Sequence, residues 1–374
     1  CSAPGAAIPC GVFFGVAELS PEVIEYVKYR REGTGGNQQA SFSANLYGDM
    51  MTLPAGEIGF AVGAEARSEK GWRDPDSTVL QNGGESAISG SSDVTEVYGE
   101  VSIPLLSDAA LAKSLDLTVA GRWSDYSAFG SNTTYKLGAV WQVNDQITVR
   151  TVASTAFRVP TISEQEGSTN EENLITVDPC DGATAATATN CLADGVPADF
   201  MQDGNTVLTG VGGNPDVEPE EADTFTFGVV LAPGFAEGFT ATIDYFDIKI
   251  DNAINAVDGS DQLRLCYLDP AVYAEFCNSF TRDPITRQVT FLSKRPVNAA
   301  KEEVSGIDVA FTYNTEIAGL DTLFTLRATR LLTHENQANP AAEVEVLKGK
   351  ITADRGSFAE WRASRKTSTP ASPS

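Results

Sequence analysis

The chain has 374 residues and a formal net charge of −25, from 26 Lys and Arg against 51 Asp and Glu. That balance argues against nucleic acid as a partner, because phosphate binding needs a basic face. A single histidine, His334, and six cysteines without a C-x-x-C spacing leave no pattern for a zinc or redox centre.

Residues 1–36 read as a loop holding a short helix from Ser20 to about Tyr29, with Ser20 as N-cap, Pro21 at the first helical position and Glu22 in the first turn. A strand over 38–51 and a tight turn at Leu53–Gly56 follow. From Glu57 to Arg67 apolar and polar residues alternate, and a Gly/Ser-rich stretch covers 68–92. Residues 94–103 resume the alternation, with Val97, Val101 and Ile103 on one face and Glu96, Tyr98 and Glu100 on the other. Paired acids are costly in a dry core but not in a wet lumen.

After a connection at 104–114, three strands are expected at 115–126, 133–142 and 146–157. A long excursion over 158–220 ends at Gly212-Gly213-Asn214-Pro215, a strong turn signal. Strands return at 222–231 and 238–250, then a second long loop covers 252–300. Strands at 303–314 and 320–332 precede a third long connection at 334–349 and a last strand near 357–364. The polar, Pro/Ser-rich residues 365–374 read as a disordered tail.

Strands of about ten residues exceed the five or six usual in soluble sheets and suit a membrane-spanning barrel. No run of about eighteen apolar residues marks a transmembrane helix, a test blind to barrels. The alternation places Leu117, Val119, Val149, Phe227 and Val309 toward lipid, and Thr118, Arg150, Thr226 and Asp308 toward the lumen. Tight connections near 53, 104–114, 143, 234 and 318 alternate with long ones, the 127–132 turn excepted. Barrels of the outer membrane sort their loops this way, short on one side and long on the other. A large soluble antiparallel sandwich is the competing reading of the periodicity.

Three segments carry a family resemblance. WSDYSAFGSNTTYKLGAVWQ, followed by TAFRVPTISE, resembles the barrel of TonB-dependent outer-membrane receptors, through Tyr135, Trp141, Phe157, Arg158 and Pro160. Val159 stands where that motif usually has a small residue. NPDVEPEEADTFTFGVV is similar to the family's N-P-x-L-x-P-E segment, through Asn214, Pro215, Pro219 and Glu220, and FTATIDYFDIKIDNAI is the third match. The resemblance implies an all-β, antiparallel transmembrane barrel, incomplete here, with about eleven of the family's roughly twenty-two strands and without its plug domain. Residues 1–36 would then be an extracellular loop. The resemblance further implies a receptor in the outer membrane of a Gram-negative bacterium, surrounded by lipid and lipopolysaccharide. Such a receptor takes up a scarce small-molecule nutrient (a ferric siderophore, cobalamin or oligosaccharide) with energy delivered by TonB through the plug.

The inward arginines Arg122, Arg150 and Arg158, with Tyr126, are the candidates for ligand or plug contact. The alternative is that the arginines pair with lumenal acids such as Glu65, Glu96 and Glu100. Three local disulfides are expected, Cys1–Cys10, Cys180–Cys191 and Cys266–Cys277, in an oxidising compartment. A lipidated Cys1 is the weaker alternative, and no signal peptide is visible there, so the chain reads as mature or as a fragment. Residues 161–221 hold thirteen Asp and Glu and no Lys or Arg, which suggests weakly bound calcium ordering part of that loop. Acids that merely keep the loop solvated are the plainer reading. No nucleophile elbow, P-loop or dinucleotide motif occurs, and pairs such as Glu164 and Glu166 are too common to carry an enzyme reading. A passive porin-like barrel and a secreted, acidic, calcium-binding β protein are the other functions considered.

Overall fold

The computed structural model describes residues 21, 24, 25, 28, 30, 32–77, 86–167, 170–340, 342–352, 356–357 and 361–368. Cys1, Cys10 and most of the expected helix at 20–29 lie outside the described residues.

One antiparallel sheet forms a wall. Its long strands are β1 (Gly33–Leu53), β2 (Gly56–Pro75), β3 (Ile88–Ala109), β4 (Ala112–Tyr126), β5 (Gly130–Gln142) and β6 (Ile147–Arg158). The wall then skips two short strands, β7 (Asn170–Ile175) and β8 (Thr206–Val211), and continues with β9 (Glu220–Leu231) and β10 (Phe239–Ala256). It skips β11 (Phe280–Arg282) and β12 (Val289–Lys294) before β13 (Pro296–Ile317) and β14 (Leu320–Gln337). Past β14 come β15 (Glu345–Val346), a small pair β16 (Ile351–Thr352) and β17 (Gly356–Ser357), and β18 (Trp361–Ser368). β18 pairs with the lower part of β14 and β15 with its upper part. Consecutive wall strands are neighbours throughout, and the sheet does not close on itself, as an incomplete barrel requires.

Register carries the alternation across the wall. Val149 lies opposite Val229, Val229 opposite Ile243, and Ile243 opposite Val309. One residue along, Arg150 faces Gly228, Gly228 faces Asp244, and Asp244 faces Asp308. Each face is therefore continuous, one apolar and one charged, as the period-two pattern predicts. The tight ends are true hairpins. Between β13 and β14 both Ala318 and Gly319 take positive φ, 55° and 79°, the conformation whose twist matches paired strands.

Several stretches read as loops carry structure. β2 runs on to Pro75 and β3 begins at Ile88, so residues 68–75 and 88–92 of the expected loop are strand. β1, β3 and β13 have 21, 22 and 22 residues against the ten or so expected. At about 3.3 Å per residue these strands far exceed what crosses a bilayer. In the Gly33–Gln39 end of β1 and the Ser89–Asp93 end of β3 both faces are polar, so the alternation that marks a strand fades there. β18 likewise takes in residues 365–368, assigned above to the tail; backbone pairing with Leu323–Leu326 holds these polar residues in line.

The excursions 158–220 and 252–300 are folded together. The first holds α1 (Ile162–Glu166), β7, α2 (Ala188–Ala193) and β8. The second holds α3 (Gly259–Leu268), α4 (Ala274–Cys277), β11 and β12. Their strands form one four-stranded sheet in the order β11-β12-β8-β7, in which β12 and β8 run parallel. The sheet's inner face buries Val207, Leu263, Val289 and Leu292. A second cluster holds Cys180, Cys191, Val196, Phe200 and Tyr267, and a third holds Val257, Leu265, Cys266 and Phe276. This unit is called the cap below.

Candidate functional site: the inner wall, the loop clamp and the cap

On the charged face of the wall each candidate arginine meets an acid. Arg122 Nη1 donates to Glu96 Oε2 at 2.9 Å, and Ser124 Oγ donates to Glu96 Oε1 at 2.6 Å. The Arg122 guanidinium also lies 4.5 Å from the centre of the Tyr98 ring, a cation–π contact. Arg150 grips Asp244 with two hydrogen bonds, 2.9 and 2.8 Å. Lys136 reaches Glu100 at 2.7 Å, and Thr329 donates to Asp308 at 2.6 Å. Asp244 lies 94 residues from Arg150, and only sheet register brings it there.

Arg158 does something different. It ends β6 and sits directly opposite Glu220, which begins β9. Its guanidinium donates to Glu220 at 2.8 and 2.7 Å and to Glu164 of α1 at 3.0 and 3.1 Å. Glu220 Oε1 also accepts from the Ile254 backbone N–H at 2.7 Å. Glu164 completes a capping box with Thr161. Burial alone would raise the Glu164 pKa; the Arg158 guanidinium and the Thr161 donors outweigh it and hold the carboxyl below its ordinary range.

The motif residues downstream finish this clamp. Asn214 donates its backbone N–H to Glu164 O at 2.7 Å and its side-chain amide to Pro296 O at 2.9 Å, and it accepts from Asp216 N at 3.0 Å. Pro215 follows it in a turn closed by Val217 N to Asn214 O. Asn298 then ties Glu218 and Asn252, 2.8 and 2.9 Å from their carbonyls. The chain crosses itself at Gly167 and Gly213, where a Cβ on Gly213 would collide with the Gly167 backbone. α1 leans on the charged face of the wall, its Ile162 side chain lying over Gly71 and Gly90 of β2 and β3. Tyr126 is edge-on to both Phe129 and Phe157, so it packs against the short β4–β5 turn. Tyr135 and Trp141 lie on the apolar face of β5, and Trp141 Nε1 is fastened to Leu111 O at 2.9 Å.

The cap is held by covalent and ionic ties. Cys180–Cys191 and Cys266–Cys277 are disulfides, each closing a local loop as the spacing predicts. Arg282 enters the acidic first excursion from the second. It donates to both oxygens of Asp178 at 2.6 and 2.8 Å, with the two side chains 5% and 1% exposed. It also donates to the Tyr267 hydroxyl at 2.7 Å, which itself donates to Asp194 at 2.5 Å. Burial, followed by the Asp194 bond, pushes the Tyr267 phenol well above its ordinary pKa. Desolvation opposes the Arg282 charge, but Asp178 outweighs it and raises that pKa. Residues 161–221 are therefore not merely solvated acid: a cation from elsewhere in the chain neutralises their buried carboxylate. No group of three or more His, Cys, Asp or Glu is placed to hold a metal ion among the described residues.

Between the cap sheet's outer face and the clamp lies a cavity of about 700 Å³. Phe291 and Ser293 of β12, Asn278 beside α4, Asp216 and Glu218 of the clamp, and Arg295 line it. The sequence carried no signal for this cavity or for Arg282, since both depend on contacts between segments about a hundred residues apart.

The sheet, its short and long connections and the motif clamp define a class, the outer-membrane β-barrel with large folded loops. A family model described as "TonB dependent receptor-like, beta-barrel" matches residues 16–363, and the chain belongs to that family. The siderophore receptor PirA from Pseudomonas aeruginosa superposes with a TM-score of 0.50 at 18% identity, over 81% of this chain and 45% of that one. A variant of the ferric enterobactin receptor PfeA from the same organism, in complex with enterobactin, gives 0.57 at 15% identity, over 91% and 40%. The RagAB peptide transporter gives 0.52 at 11% identity, over 84% and 32%. At these identities the likeness is one of fold, and the chain spans less than half of each of these proteins. No curated protein matches the sequence.

Proposed function

We propose that this chain is the cap-bearing part of the barrel of an outer-membrane receptor that takes up a scarce small-molecule nutrient in a Gram-negative bacterium, a transporter and not an enzyme. Uptake would draw on TonB through a plug within the barrel. The observation that carries the reading is the clamp-and-cap arrangement on an ion-paired inner wall. A folded cap with its own core, fixed to the wall by Arg158, Glu220 and Asn214, suits capture of a dilute solute better than free passage. The structural neighbours named as siderophore receptors support it, as does the family match. Acquisition from outside would occur among outer-leaflet lipopolysaccharide and lipid, with the apolar face of Val119 and Leu137 against the acyl chains. The test is nutrient-limited growth of cells whose own receptors are deleted and which express the full-length protein. Growth that requires TonB supports the reading. Growth equally good without TonB, and scaling with external solute, supports the passive porin-like alternative.

A further inference from the structure

The cavity beneath the cap sheet has an unusual charge balance. Asp216, Glu218 and Glu275 line it and pair with no other described side chain, while Arg295 is the one cation in its lining. Residues 161–221, which supply two of these acids, hold no Lys or Arg to offset them. Gln262 supplies a buried polar wall: it is 2% exposed, its Nε2 is committed to Val257 O at 2.9 Å, and its Oε1 accepts from no described donor. That fixed carbonyl oxygen, three carboxylates and the Phe291 ring together present acceptors and an aromatic face. Such a lining rewards N–H donors and positive charge, and it repels anions.

We infer that the cavity binds an organic cation bearing amine or guanidine groups, with an anionic or carbonyl end for Arg295. This rests on the receptor reading and names the substrate class at its outer site. A polyanionic solute would meet a net negative wall. Low salt should strengthen capture, since exposed carboxylates are screened within about 10 Å at 0.1 M.

Full-length protein purified in detergent is titrated with fluorescently labelled trilysine and, separately, triglutamate. Trilysine should bind saturably and triglutamate should not. The double substitution Asp216→Asn and Glu218→Gln, at two exposed positions, should weaken trilysine binding by about tenfold or more. Asp203→Asn, an acid of the same excursion outside the cavity, should leave it unchanged. Equal binding of both peptides, or trilysine binding indifferent to the double substitution, overturns the inference. TonB-dependent uptake with no trilysine binding would sink this site and leave the receptor reading in place. Trilysine binding without TonB-dependent uptake would do the reverse.

Discussion

On the wall Val119 and Leu137 stand 43% and 49% exposed, while the acids and arginines pair with each other on the opposite face. In the cap Leu263 and Leu292 are fully buried, and every apolar core cluster among the described residues belongs to the cap or its junction with the wall. The two regions obey opposite solvent rules along one chain. The wall presents its apolar atoms outward, where only an apolar surround would remove them from water, at roughly 25 cal/mol per Å². The cap buries its own, and being too small for a large core it adds two disulfides. The lesson is that hydrophobicity alone could not have separated them; connectivity and register do.

The largest effect should come from the cap's buried ion pair. Arg282→Met leaves Asp178 without its partner and should cost about 3–5 kcal/mol. In the full-length protein, proteolysis within 170–211 and 257–294 should accelerate while strand content by circular dichroism holds. If the cap resists protease as before, the pair does not hold it together.

Next is the wall. Val119→Arg puts a charge on the apolar face at mid-depth and should cost about 2–4 kcal/mol in a lipid bilayer, against little for the neighbouring Thr118→Arg on the charged face. Equal unfolding midpoints for the two variants would mean the face assignment is wrong by one residue.

pH should then loosen the loop clamp and the cap at opposite ends of the scale. The folded-state pKa of Glu164 is depressed, so its contribution is complete above about pH 4.3 and fades as pH falls through the folded value. Tyr267 is raised, so its contribution is complete below about pH 10 and is lost above it. Hydrogen exchange should show α1 amides opening first in acid, and ultraviolet titration should show a late-ionising phenol that Tyr267→Phe removes. Uniform ionisation of the ten tyrosines near pH 10 would remove Tyr267 from the cap's locks.

The smallest effect expected is that of calcium. Weak binding to 161–221 remains a proposal, and millimolar calcium should slow cleavage there relative to chelator by a modest factor. Equal rates would leave Arg282 and the disulfides as sufficient explanation of that segment's order.

How much of this was legible follows the same division. β4, β5, β6 and β9 can be placed to within three residues, because apolar and polar residues alternate cleanly where the two faces differ in character. The family motif pointed to Arg158, Asn214 and Glu220, although not to their mutual contact. Glu96 was among the partners expected for Arg122; Asp244 was not among those for Arg150, since no sequence spacing links residues 94 apart. The cap reads as loop in the sequence because the thirteen acids of residues 161–221 suggest solvation, and its strands are short and embedded in turns. The cation that counters the buried Asp178 is Arg282, in the other excursion.

The Arg158–Glu220 register pair has a bearing on how such a protein can change. As far as the sheet is concerned, β6 passes to β9 as though through a hairpin, because the ends of the intervening chain are pinned side by side. Asn298 does the same where β10 gives way to β13, through Asn252 and Glu218. Whatever is threaded between these staples can lengthen, shorten or be recast without disturbing the alignment of a single wall strand. The clamp makes the cap a replaceable cartridge, so lineages can recast it while inheriting the wall intact.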